Sequence, residues 1–313
     1  MSEHSILAEG AGVEGGRPPS GGAVAVIGTG RMGAAMARKL REAGADVVLY
    51  NRTAGKAHQL AAETGARVAA SPAQAASSAP VVLVSLADDQ AVAQTYQGPD
   101  GIAAGVKAGT VVADTSTVDP RTVAEMTRLL AESGARLLDA PVSGSVPSVL
   151  SGTLVVLAGG EAADLEVARP VFDVFAKQVF HVGPSGSGAV MKLAVNTLVH
   201  ALNQALSESL VLAEKAGIDR SVAYDVISAS AAGAPFVQYK RAAFERPEET
   251  PVAFTLQLVA KDLGLALDLA ERSGVELPQA TTNSQTAKTA IAAGLGHRDM
   301  SALAELFRND SVS

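Results

Sequence analysis

A chain of 313 residues, 48% of them apolar, has ample material for one large domain or two modest ones. Its 25 basic against 32 acidic side chains leave a formal charge of −7, a surface that repels polyphosphate and argues against nucleic acid as a partner. There is no cysteine, and His4, His58, His181, His200 and His297 stand at no ligand spacing, so disulfides, thiol nucleophiles and a bound metal all drop out. No apolar run approaches the roughly 20 residues of a membrane span, and MSEHSILAEG lacks the parts of a secretory leader; a cytoplasmic protein without membrane contact is expected.

Residues 1–22 close on GVEGGRPPSGG, whose composition reads as a flexible extension. From Ala23 apolar runs alternate with amphipathic stretches: AVAVIG (23–28), DVVLY (46–50), PVVLVSL (80–86), TVVADT (110–115) and ARLLDA (135–140) are expected strands. Helical patterns lie between them, at 31–44 and 120–134 for example, so the expectation is a parallel sheet covered on both faces. TLVVLAGG (153–160) and KQVFHVG (177–183) are two further strands around a helix that carries Pro170. After PSGSG (184–188) the pattern becomes helical to the end. One long helix spans 189–217, apolar enough to be expected buried nearly all round, and others follow near 219–230, 255–273, 279–293 and 301–308. The expected boundaries are 23–184 for an α/β domain and 185–313 for an all-helical one, joined by the long helix.

The first strand runs straight into Gly28-Thr29-Gly30-Arg31-Met32-Gly33 and then a helix. In that strand–turn–helix setting GxGxxG is a dinucleotide fingerprint: Gly28 for the turn, Gly30 for close approach of a pyrophosphate, Gly33 for helix–strand packing. The second strand separates NAD from NADP. An acid at its end would hold ribose hydroxyls, but the chain there reads Asn51-Arg52-Thr53, and Asp46 lies at the opposite end of the strand. Arg52 can pair with a 2′-phosphate, so NADP(H) is the expected cofactor.

Lys192 and Asn196 stand four apart and share one face of the long helix. Alone such a pair is more often a solvated stripe. On a helix this apolar, at the junction of two domains where clefts form, it is a candidate for catalysis.

With these motifs the chain resembles the β-hydroxyacid dehydrogenase family from Ala23 to about Leu306. GTGRMG resembles its fingerprint, DTSTVDP (114–120) its central cofactor motif, and DAPVSGS…GTL (139–154) its substrate loop. GSGAVMKLAVN (186–196) resembles its catalytic helix start, and KDLGLAL (261–267) its late cofactor motif. The resemblance implies a Rossmann-like, doubly wound domain followed by an all-α domain, in a homodimer or tetramer. It implies Lys192 as the catalytic group with Asn196 orienting it or the substrate oxygen. Leu86, Ala87, Ser116, Thr117 and Lys261 would lie along the cofactor. Ser143, Gly144 and Ser145 would hold a small carboxylate-bearing substrate, with Phe254 and Asp262 beside them. Ser145 stands where many members have a second glycine. That SGS form, NRT after the second strand, and Phe254 seven residues before Lys261-Asp262 are similar to the NADPH-dependent glyoxylate and succinic semialdehyde reductase branch.

Three other readings share the cofactor domain. An imine reductase would usually replace the lysine, a non-catalytic dinucleotide-binding protein would have lost it or Ser143-Gly144, and a phosphogluconate dehydrogenase would need a basic cluster for a sugar phosphate. Reduction of a small oxo acid or semialdehyde, without a metal, fits the residues better.

Overall fold

Valine-rich runs with apolar side chains on both faces are stable as strands only between two covering layers. The structure, a computed structural model, describes residues 22–309; apart from Gly22, the expected extension lies outside the described residues. β1 (Ala23–Ile27), β2 (Asp46–Tyr50), β3 (Arg67–Val68), β4 (Val81–Val84), β5 (Val111–Asp114) and β6 (Arg136–Asp139) run parallel, in the order β3-β2-β1-β4-β5-β6. The helices α1 (Arg31–Glu42), α2 (Ala54–Thr64), α3 (Pro72–Ser77), α4 (Asp89–Tyr96), α5 (Ile102–Gly105) and α6 (Pro120–Ala131) connect them. Strand alternation splits the core in two. Val24 and Val26 join Met36, Leu40 and Leu83 on one face, while Ala25 and Ile27 join Val82, Tyr96 and Met126 on the other. The chain leaves β1 to one side and returns as β4 on the other, which opens a crevice at their carboxyl ends.

The far edge of the sheet adds what the expectation left open, the direction of its last strands. β7 (Val142–Ser143), α7 (Val146–Leu150), β8 (Leu154–Gly159), α8 (Ala162–Phe172) and β9 (Ala176–Gly183) follow, and β8 runs antiparallel to β6 and β7 with β9 parallel to β8. The sheet is therefore mixed rather than parallel throughout. A parallel return needs a crossover of about a dozen residues or more, and between β7 and β8 there is only the five-residue α7 with its flanks, so the chain doubles back. The two-residue strands β3 and β7 are too short for any periodicity to announce them.

The helical part holds α9 (Ser187–Lys215), α10 (Arg220–Ala229), α11 (Pro235–Glu245), α12 (Leu256–Arg272), α13 (Pro278–Ala290) and α14 (Leu303–Asn309), packed on Leu206, Leu210, Tyr224, Phe236, Val237, Phe244, Val259 and Leu263. α11 was not among the expected helices. Pro235 after a Ser/Ala/Gly run looks like a turn, but it occupies the first helical turn, where its missing N–H costs nothing. The expectation that the long helix is buried nearly all round is corrected. α9 packs on β8, β9, α12, α13 and α14 among others, while Val190, Met191, Leu198 and Leu212 are exposed, Leu198 by 64%. Among the described residues no helix is long and apolar enough to cross a membrane.

Asp139, at the end of β6, fixes where α9 begins. Its buried carboxylate accepts from Gly186 N and Ala189 N, both at 2.8 Å. The approach is so close that a Cβ on Gly188 would meet the carbonyl oxygens of Asp139 and Leu157 at 2.3 and 2.4 Å. Burial pushes the Asp139 carboxyl up, and the backbone N–H groups offset part of that.

Candidate functional site

At the crevice the glycine loop has little room beneath and open space above. Gly28 has φ 95°, and a Cβ there would meet Ser85 O at 2.2 Å; one on Gly33 would meet Gly28 O at 2.0 Å. A Cβ on Gly30 would meet nothing within 4 Å. Among the described residues no side chain caps α1, and its first turn holds no acid, so the N–H groups that begin the helix are left unneutralised at this space. Thr29 Oγ1 is buried beside them without a hydrogen-bond partner among the described residues. Arg31 is exposed and Met32 half-buried at the same helix start. A pyrophosphate fits such a cradle.

The end of β2 closes onto this loop through Asn51, whose Oδ1 accepts from Thr29 N at 3.0 Å and whose Nδ2 donates to Thr53 O at 3.1 Å. Arg52 and Thr53 are exposed, and Arg52 has no ion pair among the described residues. Asp46 is occupied at the other end of the strand by Arg67, 2.7 Å away. Lys56, exposed in the first turn of α2, was not singled out in the sequence; a cation where a helix dipole favours anions was the signal for it.

Beyond β4 and β5 the structure brings Leu86 to Ser116 directly: Leu86 N donates to Ser116 Oγ at 2.9 Å. Ser116 N in turn donates to Asp114 Oδ1 at 2.8 Å, and the Tyr96 hydroxyl holds the other oxygen of that buried carboxylate. Ala87 next to Leu86 is exposed. Lys261, from α12, crosses the junction and donates to Thr117 O at 2.6 Å. Three turns further on, Arg272 reaches buried Asp119 at 3.0 Å, so α12 is clasped to this loop twice.

Lys192 and Asn196 point along the face of α9 that meets α12. Asn196 Nδ2 donates to Asp262 Oδ2, and Lys261 Nζ lies 2.9 Å from Asp262 Oδ1. Asp262, expected at the substrate, is only 1% exposed and is engaged by these side chains. Burial raises its carboxyl, but His200, Lys261 and Lys192 outweigh that and hold it down at about 2. Lys192 is half-buried, and burial of its ammonium pulls it down from the usual lysine range to about 8. Asp262 pulls the other way, and the Lys261 charge adds to the lowering.

His200 and Phe254 complete this wall, their ring centroids 5.8 Å apart. Phe254 is steadied from behind by Asp299, which accepts from Phe254 N at 3.2 Å and is itself held by buried Lys240 at 2.7 Å. Neither His200 nor the Lys240–Asp299 pair had a sequence signal, since each depends on contacts between distant segments. On the sheet side, α9 packs along β7 and β8. Ser143 is half-buried there, Gly144 is exposed with φ 132°, and Ser145 begins α7 with its N–H on Ser148 Oγ at 3.2 Å.

Two family descriptions match the chain. The NAD binding domain of 6-phosphogluconate dehydrogenase covers residues 23–183, and the NAD-binding domain of NADP-dependent 3-hydroxyisobutyrate dehydrogenase covers 186–307. Glyoxylate/succinic semialdehyde reductase 1 of Arabidopsis thaliana is 34% identical over 282 residues, 90% of this chain and 97% of the relative. An NAD-dependent L-serine dehydrogenase of Pseudomonas aeruginosa is 32% identical over 290 residues, 91% of this chain and 97% of the relative. The crystal structure of a 3-hydroxyisobutyrate dehydrogenase from Salmonella typhimurium superposes with a TM-score of 0.84 at 29% identity, covering 91% of this chain and 99% of that one.

Proposed function

The chain belongs to the β-hydroxyacid dehydrogenase family of nicotinamide-dependent oxidoreductases, and on that premise we propose that it reduces a small oxo acid or semialdehyde with NADPH, Lys192 delivering the proton. The observation that carries this reading is the half-buried Lys192, its proton affinity lowered to about 8, beside Asn196 and the Asp262 carboxylate.

A nicotinamide cofactor, when bound, would supply hydride to the substrate carbon or accept it in the reverse direction. As the carbon is reduced its oxygen gains negative charge and needs both a nearby cation and a proton. The Lys192 ammonium offers both, and its lowered affinity makes it a far readier donor near neutrality than an ordinary lysine. Asp262 can only accept, so it turns the Nδ2 of Asn196 toward itself. Asn196 is left presenting its Oδ1, an acceptor suited to the ammonium or to a substrate hydroxyl. The Ser143 hydroxyl and the glycine backbone at 144 are the donors in this reading for the substrate's carboxylate, with Ser145 and Phe254 bounding the pocket.

NADP(H) is preferred over NAD(H) because the end of β2 offers Arg52, Thr53 and nearby Lys56 and no acid. A small carboxylate-bearing substrate agrees with the names of the relatives, glyoxylate and succinic semialdehyde among them. The exposed apolar side chains of α9 support a homodimer or tetramer built through that helix; a cytoplasmic location belongs to the same proposal. The test is a panel followed by loss of NADPH: glyoxylate, succinic semialdehyde, tartronate semialdehyde and a cyclic imine, with 3-hydroxyisobutyrate and NADP run in reverse. Turnover of an oxo acid or semialdehyde is expected. Turnover of the imine alone would contradict the reading.

A further inference from the structure

Down its inner face α9 carries a polar stripe at helical spacing: Lys192, Asn196, His200, Asn203 and Ser207. Asn196 donates to Asp262, Asn203 Nδ2 to Met300 O at 2.9 Å, and Ser207 Oγ to Asn203 O at 2.7 Å. His200 is different. It is 3% exposed, its ring lies against Phe254, and neither ring nitrogen has a hydrogen-bond partner among the described residues. An imidazole always carries at least one N–H, so this is a buried donor without an acceptor, a state that folded proteins rarely keep.

The acceptor it lacks is close. His200 Nε2 stands 3.7 Å from Asp262 Oδ2, longer by nearly an ångström than the ~2.9 Å of an N–H···O bond. Each carboxylate oxygen takes about two donors. Oδ1 faces Lys261, while Oδ2 holds only the Asn196 amide. One place on Oδ2 therefore remains, on the side where His200 stands. Resting on the reading of Lys192 as proton donor, we infer that His200 is a positioning residue of the reaction: in the filled site its Nε2–H closes onto Asp262 Oδ2. Asp262 then cannot rotate. The Asn196 amide it orients and the negative charge it sets beside Lys192 stay fixed while the proton moves. Phe254, its ring tilted by 37° against the imidazole with centroids 5.8 Å apart, limits how far the ring can turn away.

Three substitutions and one spectrum test this. His200→Leu fills the space against Phe254 without a donor, and His200→Gln restores a donor at similar reach. In single-turnover stopped flow His200→Leu should slow hydride transfer about tenfold, the size of one lost hydrogen bond to a charged group, with NADPH affinity within about twofold. His200→Gln should recover most of the rate. In an Asp262→Ala background His200→Leu should cost nothing further, because the group it holds is gone. In the unsubstituted protein, NMR of nitrogen-labelled histidine should show a solvent-protected imidazole N–H once NADP and the hydroxy acid product are bound. Wild-type rates in His200→Leu, an equal loss in both backgrounds, a Gln variant no better than Leu, or no protected N–H would each overturn the inference. Lys192→Ala, measured alongside, separates the two levels: hydride transfer undiminished there removes the proton-donor reading itself, whereas loss there with an unaffected His200→Leu removes only the role of His200.

Discussion

Asn196 and Asp262, 66 residues apart in the chain, share a hydrogen bond in the buried seam between α9 and α12, with Nδ2 donating to Oδ2. The bond decides which end of the amide the site presents, and it holds a negative charge next to Lys192. Asp262 raises the proton affinity of Lys192 against the lowering by burial and by Lys261. Removing that charge has a definite sign. Asp262→Asn should lower the Lys192 value below about 8, so the reductive kcat/KM, which on the proposed function needs the ammonium, should begin to fall at a lower pH than in the unsubstituted enzyme. A pH profile whose alkaline limb stays in place would remove the electrostatic link between the two residues.

The glycine loop makes a prediction that separates folding from binding. A methyl on Gly30 meets nothing within 4 Å among the described residues, and its φ of −67° suits any residue, so Gly30→Ala should leave the melting temperature almost unchanged. It should nevertheless weaken both cofactors by tenfold or more, about 1.4 kcal/mol, because the methyl takes the space offered to the pyrophosphate. Gly33→Ala collides with Gly28 O and should lower thermal stability as well. Dye-monitored melting with cofactor titration on each variant checks both statements, and unaltered NADPH affinity in Gly30→Ala would place the phosphates elsewhere.

In the proposed reading Arg52 carries the choice of cofactor. In the unsubstituted protein NADPH should bind at least about tenfold more tightly than NADH, and Arg52→Asp should abolish or reverse the preference. Equal affinities by fluorescence titration before any substitution would refute the assignment.

What the sequence made legible follows from the range of each signal. The fingerprint at 28–33 and the Lys192–Asn196 spacing are local patterns, and the glycines and the helix appear in the structure where the reading had them. The bond from Asn196 to Asp262, the Asp139 carboxylate beneath the first turn of α9 and the approach of His200 join segments far apart in sequence, and no periodicity encodes them. The reversed strand β8 escaped for a related reason: an apolar run shows that a strand is buried, not which way it runs. Counting the apolar residues of α9 also misjudged its outer face, since composition alone does not tell a side covered by the same chain from one left exposed.

The clasp between Asp119 and Arg272 joins the loop after β5 to α12 and should contribute to stability in a pH-dependent way. Burial raises the Asp119 carboxyl, but Arg121 and Arg272 hold it below the usual carboxylate range. Its contribution is therefore present above the unfolded value of about 4 and fades as pH falls through the lower folded one. Asp119→Asn should cost about 1–3 kcal/mol at neutral pH, a drop in Tm of about 3–10 °C. The gap between the two proteins should narrow in calorimetry below about pH 4. A gap that widens on acidification would contradict the sign.

The proton-donor role of Lys192 is tested most directly by single-turnover hydride transfer, which slow product release cannot mask. With NADPH and the substrate identified by the panel, Lys192→Ala should reduce the transfer rate about 10²–10⁴-fold and leave NADPH affinity within a few-fold. Lys192→Arg should recover little, because a guanidinium carries the charge but scarcely gives up a proton. In the unsubstituted enzyme the reductive rate should fall, and the oxidative rate rise, as pH passes through about 8. Hydride transfer at a near-normal rate in Lys192→Ala would contradict the account and assign the proton to another group.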